Sequence, residues 1–282
     1  MTDDATDAQR RIARELGVRL EFDVAEEADR RSQFLAELLT ATGLRTLVLG
    51  ISGGVDSATV GMLCRRAVRR RPAGSAALAA VRLPYGQQQD DADARLVLDT
   101  IEPDCLFTVD IQPASDAALV SLSAAGLRFP SAEKEDHALG NIKARQRMVA
   151  QYAIAAALDG LVIGTDHAAE AVTGFFTKFG DGGVDANPLA GLTKRRVRAL
   201  AEHLGVPARI ITKVPTADLE SQRPQLPDEE VLGLRYAEID DFLEGLPVSP
   251  EVHAAMTRHY TATAHKRSGP LVPPPRPPGC AG

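Results

Sequence analysis

The apolar run Leu47-Val48-Leu49-Gly50-Ile51 empties directly into Ser52-Gly53-Gly54-Val55-Asp56-Ser57, and a helical pattern follows at once. A strand apolar on both faces suits a parallel sheet covered on both sides. Two consecutive glycines allow the sharp turn and let backbone N–H groups come close to a ligand. The helix expected from near Ser57 adds exposed amides and the positive end of its dipole, so the turn is built to cradle a polyanion.

Ser52 and Ser57 bring hydroxyl donors to that cradle, whereas Asp56 would repel a bare phosphate and is assigned to a divalent metal beside it. No Gly-Lys-Ser/Thr follows, so this is not a Walker A loop, and without the lysine a metal supplies more of the neutralising charge. The loop reads as the pyrophosphate loop of enzymes that split ATP into AMP and pyrophosphate.

Strand-like runs recur at 77–83, 106–111 and 161–165 after the first at 46–51. Segments 57–70, 90–101 and 141–158 are long enough for crossover helices, and residues 26–40 place Ala28, Phe34, Leu35, Leu38 and Leu39 at helical spacing. The expected fold is α/β, a parallel sheet flanked by helices. With 282 residues and 44% hydrophobic content, residues 1–267 are expected to form a single domain. A proline-rich tail, expected to be disordered, covers 268–282. In such sheets ligands sit beyond the carboxyl ends of the strands, where Ser52, Arg82, Tyr85, Thr165 and Asp166 fall.

Cys64, Cys105 and Cys280 have no metal-ligand spacing and are odd in number, which fits a reducing cytoplasm, with Cys64 as buried filler. The N-terminus has no apolar core and no run of eighteen apolar residues occurs, so neither secretion nor membrane insertion is expected. A net charge of −6 argues against a general nucleic-acid binder. The basic cluster Arg65–Arg71 is expected at a helix C-terminus, solvated and complementing the dipole. Ala150, Ala153, Ala155, Ala156 and Ala157 allow close approach of another element, either the sheet or a second subunit. The breaker-rich stretch 215–227 reads as a loop able to close as a lid.

A second dense run follows the fourth strand: Gly164-Thr165-Asp166-His167-Ala168-Ala169-Glu170, continuing through Lys178 and Asp185 to Pro188. Asp166 is expected to cap the next helix, with Glu170 one turn on and facing the same site. His167 reads as a hydrogen-bonded structural residue. Together with Ser-Gly-Gly-Val-Asp-Ser, this run resembles bacterial ammonia-dependent NAD synthetases. Further matching stretches are Val81–Gly86, Gly140–Met148, Pro215–Leu219 and His265-Lys266-Arg267, and the resemblance extends from roughly Glu26 to Arg267.

The resemblance implies a Rossmann-like fold of the adenine nucleotide alpha-hydrolase type and a ligase that amidates deamido-NAD. ATP adenylates the nicotinate carboxylate, pyrophosphate leaves, and ammonia displaces AMP. It further implies that Gly50, Ile51, Ser52, Gly53, Gly54, Val55, Asp56 and Ser57 bind ATP, with Arg82, Leu83, Thr165, Lys194 and Thr216 as further contacts. Magnesium falls to Asp56 and Glu170. Arg145, Lys178, Asp185, His265 and Lys266 fall to deamido-NAD, with Arg147 competing for the place of Arg145. No catalytic residue is expected beyond these ligands, because an activated acyl group needs little help from a base. A homodimer with deamido-NAD near the subunit interface is expected. Nothing upstream of the phosphate loop has room for a glutaminase, so ammonia is the expected direct donor.

Overall fold

The computed structural model of the protein describes residues 2–86, 91–216, 226–270 and 272–273, with side chains from Asp7 onward. Strands β1 (Thr46–Gly50), β2 (Ala77–Arg82), β3 (Cys105–Thr108) and β4 (Gly160–Ile163) form one parallel sheet in the order β3-β2-β1-β4. The chain progresses outward from β1 to β3 and then returns to place β4 on the other side of β1. That reversal opens a crevice between the carboxyl ends of β1 and β4. The phosphate loop leaves β1 there, and Thr165 and Asp166 leave β4.

The alternation of side chains across the sheet divides the core. Leu47, Leu49, Leu78, Ala80, Leu161 and Ile163 pack beneath α2 (Val24–Thr42), α3 (Val55–Arg69) and α8 (Lys194–His203). Val48, Ala79, Val81 and Val162 face the opposite side with Ala155 of α6 (Ala132–Ala157). Leu47 and Leu49 are fully buried, so truncating either to alanine would cost about 2–5 kcal/mol. The remaining helices of the sheet region are α4 (Asp91–Ile101), α5 (Gln112–Ala124) and α9 (Ala208–Ile211). A further cluster joins Ile12 of α1 (Thr2–Glu15) to Val172 of α7 (Ala168–Thr173), Phe242 of α11 (Tyr236–Leu243) and Met256 of α12 (Pro250–Ala262). Two short helices, α10 (Asp228–Leu232) and α13 (Ala264–Arg267), complete the described elements.

Several expectations are refined. Helix α1 was not anticipated from its polar sequence; it buries Ile12 and Gln9, whose amide donates to the Phe242 and Leu246 carbonyls at 2.9 and 3.0 Å. Helix α6 starts at Ala132 rather than Asn141 because Ser131 caps it, accepting the Lys134 N–H. The third strand ends at Thr108, although Val109 and Ile111 still donate to the Arg82 and Pro84 carbonyls. Phe34, expected on the apolar face of α2, is 43% exposed. Of the alanine-rich stretch, Ala155 is buried on the sheet while Ala153, Ala156 and Ala157 are exposed. Cys64 is buried, its thiol pushed up by burial, as expected of filler. The arginines of α3 sit in surface ion pairs, Arg65 with Asp104 and Arg66 with Asp29. No helix among the described residues is long and apolar enough to cross a membrane.

Two devices position the site. Arg31 of α2, held by Glu27 at 2.7 Å, donates across to the Pro188 and Ala190 carbonyls, which fixes the segment leading into α8. Asp185 and Ala186 run alongside β4, with Asp185 N–H donating to Val162 and Gly164 N–H to Ala186.

Candidate active site

The loop after β1 is tied to itself. Ser52 and Ser57 hydroxyls lie 3.2 Å apart, Gly54 N–H donates to Ser52 Oγ at 3.3 Å, and Ser57 Oγ donates to the Gly54 carbonyl at 3.1 Å. Gly53 has φ +83°, and a Cβ there would stand 2.8 Å from the backbone nitrogen of Ala94 in α4. Only glycine fits both demands. Gly54 precedes α3 without a side-chain cap, which leaves the first amides of the helix to a ligand.

Asp56, in the first turn of α3, points at a buried group of charges. Lys194 Nζ donates to both its carboxylate oxygens, at 3.0 and 2.8 Å. His167 Nε2 is 3.6 Å from Asp56 and 3.5 Å from Glu170. Burial acts to raise the Asp56 carboxyl, but the Lys194 ammonium outweighs it and holds the group below the usual carboxylate range. Glu170 has no such direct partner; burial and the nearby Asp56 and Asp166 push it well above its ordinary value. Burial and Lys194 hold His167 down to about 3, so its ring is neutral.

The capping residue of α7 is His167, not Asp166 as expected. Its Nδ1 accepts the Glu170 N–H, which assigns the ring proton to Nε2 and leaves the imidazole without a lone pair facing the acids. Asp56, His167 and Glu170 offer ligand atoms within 4.8 Å of one another. With the histidine lone pair engaged, the donors for a cation are the two carboxylates. Oxygen donors of this kind suit magnesium.

Arg82 ends β2 and pairs with Asp91 at 2.5 Å, while the Leu83 carbonyl accepts Arg147 Nε at 3.1 Å. Arg145 reaches the Lys178 carbonyl at 3.3 Å, and Lys178 Nζ donates to the His265 carbonyl at 2.5 Å. The geometry thus groups Arg145 with Lys178 and His265, and places Arg147 against the segment that leaves β2. Lys266 Nζ donates to the Gly174 and Phe176 carbonyls at 2.9 and 2.8 Å. Asp166, Phe176, Gly182, Asn187 and Lys266 line one cleft of about 500 Å³. Asp185 stands apart from the Arg145 group: it is exposed, and accepts from Tyr152 Oη at 3.1 Å and Val162 N–H at 2.7 Å. Thr165 follows β4, and Thr216 bridges Pro227, joining the two ends of the expected lid. Residues 217–225 of that lid lie outside the described residues, as do 87–90 and most of the tail.

Sequence reasoning missed Tyr236 and Asp240. The Tyr236 ring lies 5.1 Å from Lys194 Nζ, and its hydroxyl donates to Asp228 at 3.0 Å. Asp240 accepts the Lys194 and Arg195 N–H groups at 2.9 and 2.8 Å, anchoring the start of α8. Neither carries a local motif, because each acts across elements far apart in the chain.

The NAD synthase family model matches residues 27–270. The chain is 59% identical over 267 residues to the NH(3)-dependent NAD(+) synthetase of Streptomyces coelicolor, over 94% of this chain and 97% of that relative. The crystal structure of NAD+ synthetase from Burkholderia pseudomallei superposes with a TM-score of 0.81 at 53% identity, covering 94% of this chain and 98% of that one. The NMN synthetase of Francisella tularensis superposes at 0.78 with 34% identity, covering 90% and 99%.

Proposed function

The chain belongs to the NAD synthase family, and from that premise we infer that it is an ATP-dependent ligase converting deamido-NAD to NAD with ammonia. Identity of 59% across nearly the whole chain favours this dinucleotide reaction over the mononucleotide chemistry named for the relative at 34%.

A carboxylate oxygen of deamido-NAD attacks the α-phosphorus of ATP, and pyrophosphate leaves. Ammonia then adds to the activated carbonyl carbon, and AMP departs with that oxygen. The residues of this chain position the two anionic reactants and neutralise them. In this reading Gly50 to Ser57 receive the phosphates, Arg82, Leu83, Thr165 and Thr216 border the nucleotide, and Lys194 supplies a cation beside the loop. Arg145, Lys178, Asp185, His265 and Lys266 receive deamido-NAD. Asp56 and Glu170 hold magnesium, which when bound offsets the negative charge developing on the phosphates. The observation that carries the reading is the pair of half-buried carboxylates, Asp56 and Glu170, beside the uncapped first turn of α3.

The ligase is proposed to act in the cytoplasm as a homodimer. The apolar surface of α5 and α6 supports this, with Val120 66% and Val149 54% exposed. The expected single domain over 1–267 is retained as part of the proposal.

Isotope transfer tests the chemistry. Deamido-NAD labelled with oxygen-18 in its carboxylate should yield AMP carrying one label. Label in pyrophosphate or orthophosphate would contradict adenylation.

A further inference from the structure

Lys194 Nζ occupies the place from which a divalent cation would have to take Asp56. Its side chain is 1% exposed, both Asp56 oxygens accept from it, and the Tyr236 ring covers it. Without a cation, Asp56 and Glu170 would be two like charges in a buried setting, a costly arrangement. The ammonium removes that cost for Asp56 by donating to both its oxygens.

The backbone around Lys194 is fixed independently of the contacts of its side chain. Thr193 caps α8, and Asp240 accepts the Lys194 N–H. The four-carbon stem can therefore swing its charge without moving the helix. We propose that Lys194 is the resident cation of the metal site, displaced from Asp56 by the divalent ion and left facing the phosphate cradle. This rests on the reading of Asp56 and Glu170 as the metal pair.

Binding follows from the exchange. A divalent ion arriving alone must break a buried ion pair, which weakens its apparent affinity. A polyphosphate arriving with it gives the displaced ammonium a new partner, so the two ligands strengthen each other's binding. A permanent structural salt bridge would produce neither effect.

Manganese binding, followed by the paramagnetic resonance signal of the free ion, tests the exchange in wild type, Lys194→Met, Lys194→Arg and Asp56→Asn. Lys194→Met should bind manganese alone about tenfold more tightly than wild type and lose most of the enhancement produced by a non-hydrolysable ATP analogue. Lys194→Arg, which keeps a cation, should stay near wild type. Equal or weaker manganese binding in Lys194→Met, with native circular dichroism, would overturn the exchange. Unchanged manganese binding in Asp56→Asn would instead overturn the metal pair itself. Should Lys194→Met fold poorly, its melting temperature gives the second readout. Manganese should raise it more than it raises that of wild type; an equal or smaller rise overturns the proposal.

Discussion

His167 and Glu170 cap each other: His167 Nδ1 accepts the Glu170 N–H at 3.4 Å, and Glu170 Oε2 accepts the His167 N–H at 3.2 Å. The reciprocal pair closes the first turn of α7 and aims the Glu170 carboxylate at Asp56. Histidine here acts through geometry, with its ring neutral and buried.

Removing the cap should therefore act on stability and on metal placement together. His167→Ala is expected to lose about 1–2 kcal/mol in urea unfolding, and His167→Asn, which restores a capping acceptor, to recover part of it. Equal stability of His167→Ala and wild type would show that the cap contributes nothing.

Gly53→Ala places a methyl group against the Ala94 backbone at a residue with φ +83°. The strain of a left-handed alanine is about 1–2 kcal/mol before the clash is counted. Binding of an ATP analogue, measured by calorimetry, should fall at least tenfold. Unchanged affinity would mean the loop does not form the cradle.

Partial burial, with Asp181 and Asp56 nearby, pushes the Asp166 carboxyl up to about 7. The folded chain then keeps a proton there that the unfolded chain loses above about pH 4, so by linkage this group lowers stability as pH rises from about 4 to about 7. In metal-free buffer, Asp166→Asn should lose less stability across that interval than wild type. Parallel curves would contradict the raised value.

Where the sequence was informative, the signal was local. The apolar run into Ser52–Ser57 located β1, the loop and α3 to within two residues, because strand burial, glycine turns and helix caps are short-range properties. Helix α1 was missed because its one fully buried anchor, Ile12, is covered by elements far along the chain. The cap of α7 was assigned to Asp166 because aspartate is the commoner capping residue, yet the chain bends one residue later and uses a ring nitrogen. The contact of Lys194 with Asp56 bridges 138 positions, and no spacing rule reaches that far.

The exposed apolar residues of α5 and α6 set an expectation for assembly. Val149→Glu, placed where a partner would cover it, should shift the protein from dimer to monomer by light scattering. An unchanged dimer would exclude this face, and a monomeric wild type with full activity would exclude the dimer.

Amidation with ammonia can be read in one assay that follows NAD, AMP and pyrophosphate together after mixing purified protein with ATP, magnesium, deamido-NAD and ammonium, beside Asp56→Ala and a reaction with glutamine in place of ammonium. The wild-type protein should form equal amounts of all three products with ammonium and none with glutamine, and the variant should lose at least about a hundredfold in rate, about 2.7 kcal/mol in the barrier. ATP binding without NAD formation, or full activity in Asp56→Ala, would contradict amidation at this site.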